Sequence, residues 1–208
     1  VRYVGRVRES DGRPISGRLY YSNGVSARIN TETGMIEYSN GAVYLGDMVD
    51  FYRQGKGTLK LKNGDEYTGE FNDDVITGYG VYRFSGGDVY EGDFIAGVKE
   101  GEGKYTYADG SVYEGGFSGD LRHGEGKMVW SDGSVYEGGY LFGLKSGHGS
   151  YTYANGDTYV GDFEDDMRQG KGTYVWAETG EKYVGGFLKN NMHGWGTYTW
   201  QEGRQSYT

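Results

Sequence analysis

The residues best suited to metal binding or acid–base work are three histidines, His123, His148 and His193. His123 and His193 hold the same place in a repeating pattern, and His148 lies inside a Gly-x-Gly. No two of them have the spacing that sets a pair of ligands on one face of a strand, so only an intermolecular zinc site is left open to them. Cysteine is absent, which removes thiolate ligands and disulfides. No Ser, His and Asp set sits in a recognisable nucleophile motif. Gly101-Glu102-Gly103 is no phosphate loop, because no helical segment follows to supply its N-terminus. The acidic residues recur at periodic positions instead of converging. The chain is therefore expected to hold no catalytic, cofactor or metal site, and not to be an enzyme.

Composition points to a different kind of chemistry. Of 208 residues, 41 are Gly and 22 are Tyr, with Pro14 the single proline. Average glycine usage is roughly 7%. Collagen is excluded because glycine does not recur at every third position. Aromatics reach 16%, too rich for a disordered chain. The net charge of −9 disfavours nucleic acid and anionic lipid as partners. No run of 18 apolar residues occurs. The chain begins at Val1 with its pattern still running near Thr208, and it reads as a fragment of a longer protein.

The pattern is a repeat. Tyr-x-Gly-x-aromatic clusters begin at Tyr67, Tyr90, Tyr113, Tyr136 and Tyr159, 23 residues apart, and at Tyr183 after a step of 24. A weaker copy begins at Tyr44, with Met48 in the aromatic slot. Each cluster is followed by Gly-x-Gly, as at Gly124/Gly126 and Gly147/Gly149, and then by a turn such as Asp132-Gly133 or Asn155-Gly156. Seven units result, 44–66, 67–89, 90–112, 113–135, 136–158, 159–182 and 183–208, forming one continuous array. Residues 1–43 are degenerate repeats, keeping Tyr3-x-Gly5, Gly17, Gly34 and Asn40-Gly41.

Within each unit the alternation has period two, which means strands. Helix is disfavoured, since each Gly costs about 1 kcal/mol relative to Ala there. A three-residue loop at Asp132-Gly133, with Gly133 left-handed, pairs Met128 with Tyr136 and keeps the aromatics on one face. A two-residue loop would flip a strand. On the other side Phe117 is expected opposite Gly124, across a six-residue loop. The resulting rows are Tyr105–Tyr113–Met128–Tyr136–Tyr151–Tyr159–Tyr174–Tyr183–Tyr198 and, beside it, Gly103–Gly115–Gly126–Gly138–Gly149–Gly161–Gly172–Gly185–Gly196. Rings can lie flat over bare backbone and meet edge-to-face. Crowding side chains off one face predicts a ribbon curved with the aromatic face concave. At about 10 Å per hairpin it would be roughly 70 Å long. The opposite face, with Lys104, Glu114, Lys127 and Glu137, is expected to be solvated. The fold class is all-β: an elongated, curved, single-layer antiparallel meander of 23-residue hairpins.

Tyr90-Glu-Gly-Asp-Phe94 with Gly101-Glu-Gly103, and Tyr113-Glu-Gly-Gly-Phe117 with Gly124-Glu-Gly126, resemble the MORN repeat (membrane occupation and recognition nexus). The resemblance covers residues 44–203 strongly. It departs at Met48, at Ser85-Gly86-Gly87 and at the insertion near Thr179. A rival, the choline-binding type of β-solenoid, also uses short Tyr- and Gly-rich units, but the strict Gly-x-Gly and the 23-residue period oppose it. The MORN resemblance implies roles in scaffolding and homodimerisation within cytoskeletal or membrane-associated assemblies of the cytoplasm, as in multi-repeat members of protozoan parasites.

Three candidate surfaces follow. In a single layer the aromatic rows leave an apolar groove suited to a helix, a peptide or a second copy. Its residues are Tyr105, Tyr113, Phe117, Met128, Trp130, Tyr136, Tyr140, Tyr151, Tyr159, Phe163, Tyr174, Trp176, Tyr183 and Phe187. The C-terminal repeat offers Trp195, Tyr198 and Trp200 as dimer contacts on an open edge. Arg53, Lys99, Arg122, Lys145 and Arg168 recur before the Gly-x-Gly on one edge, where they could meet lipid phosphates. The acidic loops around them favour a merely solvated edge. The leading expectation is a scaffold that self-associates and docks proteins along its groove. A phosphoinositide-binding tether is one alternative, and an accessory domain of an enzyme whose catalytic part lies elsewhere is another.

Overall fold

The computed structural model describes residues 1–200 and 206–207. The tail of the last unit, 201–205 and 208, lies outside the described residues. The chain divides into two units, Val1–Lys99 and Glu100–Thr208. The first contains strands β1 (Arg2–Val7), β2 (Pro14–Tyr20), β3 (Ser26–Asn30), β4 (Met35–Tyr38), β5 (Val43–Val49), β6 (Tyr52–Lys60), β7 (Glu66–Asn72), β8 (Val75–Arg83) and β9 (Val89–Ile95). The second contains most of β10 (Val98–Thr106), then β11 (Val112–Ser118), β12 (Leu121–Val129), β13 (Val135–Leu141), β14 (Leu144–Thr152), β15 (Thr158–Glu164), β16 (Met167–Val175), β17 (Lys182–Leu188), β18 (Asn191–Thr199) and β19 (Ser206–Tyr207). Within each unit every strand pairs antiparallel with its sequence neighbours, so each is a meander of hairpins. No helix occurs among the described residues.

The rows read from the sequence are the rows of the sheet. Tyr105 faces Tyr113, Tyr113 faces Met128, Met128 faces Tyr136, and the ladder runs on through Tyr151, Tyr159, Tyr174 and Tyr183 to Tyr198. The glycine row pairs beside it, Gly115 with Gly126 and Gly138 with Gly149. The turn at Asp132-Gly133 has the expected three-residue loop. Trp130 N–H donates to Ser134 O at 2.9 Å, and Gly133 has φ +86°.

The other turn corrects the expectation. β11 ends at Ser118 and β12 begins at Leu121, so the connection is the pair Gly119-Asp120, with φ +58° and +68°. Two left-handed residues make a type I′ turn, whose twist matches that of its strands. Asp73-Asp74, Asp165-Asp166 and Lys189-Asn190 do the same. The surplus residues leave the ladder as a bulge, and Phe117 faces Arg122, not Gly124. Tyr140 likewise faces Lys145, Phe163 faces Arg168, and Met48 faces Arg53.

The core is made of rings on bare backbone. The Tyr136 ring is fully buried, and its hydroxyl donates to Gly139 O at 3.0 Å. A Cβ placed at Gly149 would stand 2.7 Å from ring atom Cε2, which is why the neighbouring strand carries glycine there. The degenerate first hairpin keeps this device: Tyr3 donates to Arg6 O at 2.7 Å, over paired Gly5 and Gly17. The solvated face carries ion pairs across strands, Lys104 to Glu114 at 2.6 Å and Lys127 to Glu137 at 3.3 Å. Both pairs are exposed and contribute little stability.

Candidate functional site

The aromatic face has two layers of different accessibility. In the second unit the inner layer is a chain of edge-to-face contacts: Phe117–Tyr113 at 5.2 Å, Tyr113–Tyr140 at 5.2 Å, Tyr140–Tyr136 at 5.3 Å, Tyr136–Phe163 at 5.0 Å, Phe163–Tyr159 at 5.1 Å and Tyr159–Phe187 at 5.0 Å. Each such contact adds about 0.5–1.5 kcal/mol beyond the area buried. Burial of its phenol pushes the Tyr113 pKa up to about 12.

This seals part of the expected groove. Tyr113, Phe117, Met128, Tyr136, Tyr140, Tyr159, Phe163, Tyr183 and Phe187 are buried and offer no surface to a partner. The expectation of exposure assumed that a single layer leaves its rings uncovered. Rings of adjacent hairpins cover one another instead.

The outer layer stays accessible. Tyr105, Trp130, Tyr151, Tyr174 and Trp176 are half-buried. From Trp130 onward the rings are in continuous contact: Trp130–Tyr151 at 5.2 Å, Tyr151–Tyr153 at 4.4 Å, Tyr153–Tyr174 at 5.9 Å, Tyr174–Trp176 at 4.7 Å, Trp176–Tyr198 at 5.3 Å and Tyr198–Trp200 at 4.8 Å. Tyr198 and Trp200 thus continue the ladder. Trp195 projects from the strand on its own, 86% exposed. The sequence reading missed Tyr107 and Tyr153, although they share a repeat position with Trp130, Trp176 and Trp200.

Carboxylates pin the outer rings. Asp157 Oδ2 accepts from Tyr174 at 2.7 Å, and Glu181 Oε2 accepts from Tyr198 at 2.6 Å. In the first unit Asp65 accepts from the Ser85 N–H at 2.8 Å and from the Tyr82 hydroxyl at 3.0 Å. These bonds, the Ser85 N–H first, hold the Asp65 pKa down at about 2.

The basic residues are placed differently from the expectation of a free edge. The bulge turns them onto the rings. Arg122 lies 5.0 Å from the Tyr140 ring centre and donates to Gly143 O at 2.7 Å. Arg168 lies 5.1 Å from Tyr174 and donates to Asn190 O at 2.6 Å. Lys145 sits among Trp130, Tyr136 and Tyr151, its closest ring centre 5.1 Å away. Burial lowers its pKa. Arg53 covers Phe71 at 5.1 Å and pairs with Asp74 at 3.0 Å, and Lys99 covers Tyr90 at 5.6 Å. The Arg53 and Lys145 side chains are each 16% exposed. These cations close the inner layer and clamp the next turn, which leaves little of them for a lipid phosphate. No group of three His, Asp or Glu side chains suited to a metal occurs among the described residues.

Fold and surface together define a tandem β-hairpin repeat protein with a sealed aromatic core and an accessible aromatic ladder. Residues 46–66, 67–89, 90–112, 113–135, 136–158, 159–179 and 183–203 each match the MORN repeat, and the chain belongs to that family. No curated protein matches the chain in sequence. Among solved structures, it is similar to the TCP10 domain of Danio rerio CPAP in complex with a STIL peptide. The identity is 11%, the TM-score 0.47, and coverage 100% of this chain and 98% of that one. It is also similar to the Drosophila melanogaster SAS-4 TCP domain in complex with a proline-rich motif of Ana2, at 18% identity, TM-score 0.45, and coverage of 74% and 82%.

Proposed function

We propose that the chain is a non-enzymatic scaffold that docks a peptide or helix of a partner protein on its outer aromatic ladder, within a cytoskeletal or membrane-associated assembly of the cytoplasm. The observation that carries this reading is the run of accessible rings in mutual contact from Trp130 to Trp200. Such a rigid, partly wet aromatic surface binds at low entropic cost, because the rings are already ordered by their neighbours. The docking residues in this reading are Tyr105, Trp130, Tyr151, Tyr174 and Trp176. The test selects peptides against the protein from a random display library, then replaces Tyr105, Tyr151 and Tyr174 singly by Ser. Binding should fall at least about tenfold at one or more positions. Undiminished binding by all three variants, with unchanged circular dichroism, would refute the ladder as the docking surface.

Self-association belongs to the same proposal, through β18. Among the described residues this strand pairs with β19 at Tyr198 and Thr199, and 191–197 has no partner on that side among them. That stretch carries no acidic, Lys or Arg side chain, the usual protection of an edge, and it presents Met192 and Trp195. A homodimer joined at this edge should dissociate on Trp195→Lys. Light scattering that finds the unmodified chain monomeric at high concentration would remove this part of the proposal.

A further inference from the structure

Repeats that agree in backbone disagree at one polar position. Where the turn reads Asn-Gly-Asp, the Asp bridges to the next hairpin. Asp65 accepts from the Tyr82 hydroxyl at 3.0 Å and from the Ser85 N–H at 2.8 Å. Asp157 accepts from the Tyr174 hydroxyl at 2.7 Å and from the Ala177 N–H at 2.9 Å. The Asn completes the set, with Asn63 Nδ2 donating to Asp65 at 2.9 Å.

Two turns read Asp-Gly-Ser instead, and they differ in what they face. Ser111 precedes a hairpin that carries Met128 at the tyrosine's repeat position, with no hydroxyl, and its Oγ accepts from the Ser131 N–H at 3.0 Å. Donor and acceptor have disappeared together. Ser134 precedes a hairpin whose outer residue is still a tyrosine, Tyr151. Ser134 turns its hydroxyl back to Asp132 Oδ1 at 2.6 Å. The Tyr151 hydroxyl and the Ala154 N–H hold the repeat positions of the Tyr82 hydroxyl and the Ser85 N–H, but among the described residues no carboxylate reaches them. A pocket of about 350 Å³ opens there, lined by Asp132, Ser134, Tyr151, Tyr153, Ala154 and Tyr174 among others.

We propose that this pocket takes the primary carboxamide of a partner's Asn or Gln side chain. The proposal rests on the outer ladder being the docking surface and names what that surface reads at one point. The carboxamide oxygen accepts from Tyr151 and Ala154, as Asp65 accepts at its own turn. The carboxamide NH₂ donates to Asp132 Oδ2, Oδ1 being held by Ser134. The polarity at the turn is thus the reverse of the Asn63–Asp65 pair. A carboxylate would satisfy the two donors but would meet the charge of Asp132, and an aliphatic side chain would leave all three groups unpaired. The rings of Tyr153 and Tyr174 support the residues on either side of the anchor.

The experiment uses peptides selected from a random display library on the chain as it stands. Enriched peptides should share one Asn or Gln, and replacing it by the matching acid should weaken binding about tenfold, the scale of a lost hydrogen bond plus an unpaired polar group. Asp132→Asn reproduces the residue found at 63 and 155, so the turn is preserved. On that variant the acid peptide should bind as well as the amide or better. Tyr151→Phe keeps the stack on Trp130 and should cut the preference for amide over aliphatic. Peptides that bind through the ladder but show no Asn or Gln preference overturn this inference and leave the docking surface standing. A selection that enriches nothing overturns both.

Discussion

Gly149→Ala is the sharpest test of how this core is built. Carbon atoms in contact sit about 3.5–4.0 Å apart. A Cβ at Gly149 would stand 2.7 Å from Tyr136 Cε2 and 2.8 Å from Cζ, so the ring must withdraw by roughly 1 Å. It has nowhere to go. Tyr140 holds it edge-on at 5.3 Å and Phe163 at 5.0 Å, and its hydroxyl is tied to Gly139 O at 3.0 Å. Overpacking costs about 1–3 kcal/mol, and loosening the hydrogen bond adds about 1 kcal/mol. The expected loss is therefore about 2–4 kcal/mol. Gly86→Ala is the control: nothing lies within 4 Å of a Cβ there and its φ is not left-handed, so it should be neutral or gain up to about 1 kcal/mol. Urea unfolding read by circular dichroism gives both, from the shift in midpoint at constant slope. A Gly149→Ala loss below about 0.5 kcal/mol, or equal effects at both sites, would refute ring-on-glycine packing as the reason for the glycine rows.

Three further outcomes follow from the same geometry. Burial raises the folded pKa of Tyr44, Tyr67, Tyr113 and Tyr159 to about 12, above the unfolded value near 10. Their contribution to stability is whole below pH 10 and is lost as the pH climbs towards 12, so the chain should unfold in that window with tyrosinate absorbance rising in step. Early, non-cooperative ionisation of most tyrosines below pH 10 would contradict the sealed inner layer. Asp157→Ala leaves the Tyr174 hydroxyl and the Ala177 N–H without their acceptor and should cost about 1–3 kcal/mol in urea unfolding. Installing Asn-Gly-Asp at 132–134, by Asp132→Asn with Ser134→Asp, should raise the Tm by about 2–4 °C. Ser134→Asp alone should do less, because two carboxylates then share the turn; additive behaviour of the two changes would count against that account.

Strand identity, the pairing of Tyr113 with Met128 and Gly115 with Gly126, and the three-residue loop at Gly133 were all legible in the sequence. Alternation of period two and the requirement that every ring share a face leave one register. The type I′ turn was not legible, because Gly119-Asp120, Asp165-Asp166 and Lys189-Asn190 share no single motif and the bulge beside them hides the true strand ends. That one difference moved Arg122, Lys145 and Arg168 from an imagined free edge onto the rings. The split of the aromatics into a sealed layer and an open one was equally out of reach, since Tyr136 and Tyr151 face each other in one row and differ only in what the adjacent hairpins lay over them. The mismatch at Ser134 lies between. Its letters are plain in the chain, but only the pocket it shares with a tyrosine 17 residues on gives them meaning.

Local alternation thus decided the element type, the register and the face, because those depend on backbone geometry repeated at each residue. Accessibility and charge placement were decided by tertiary packing, because each ring is covered by side chains of the neighbouring hairpin, and where those side chains point depends on how the turns close.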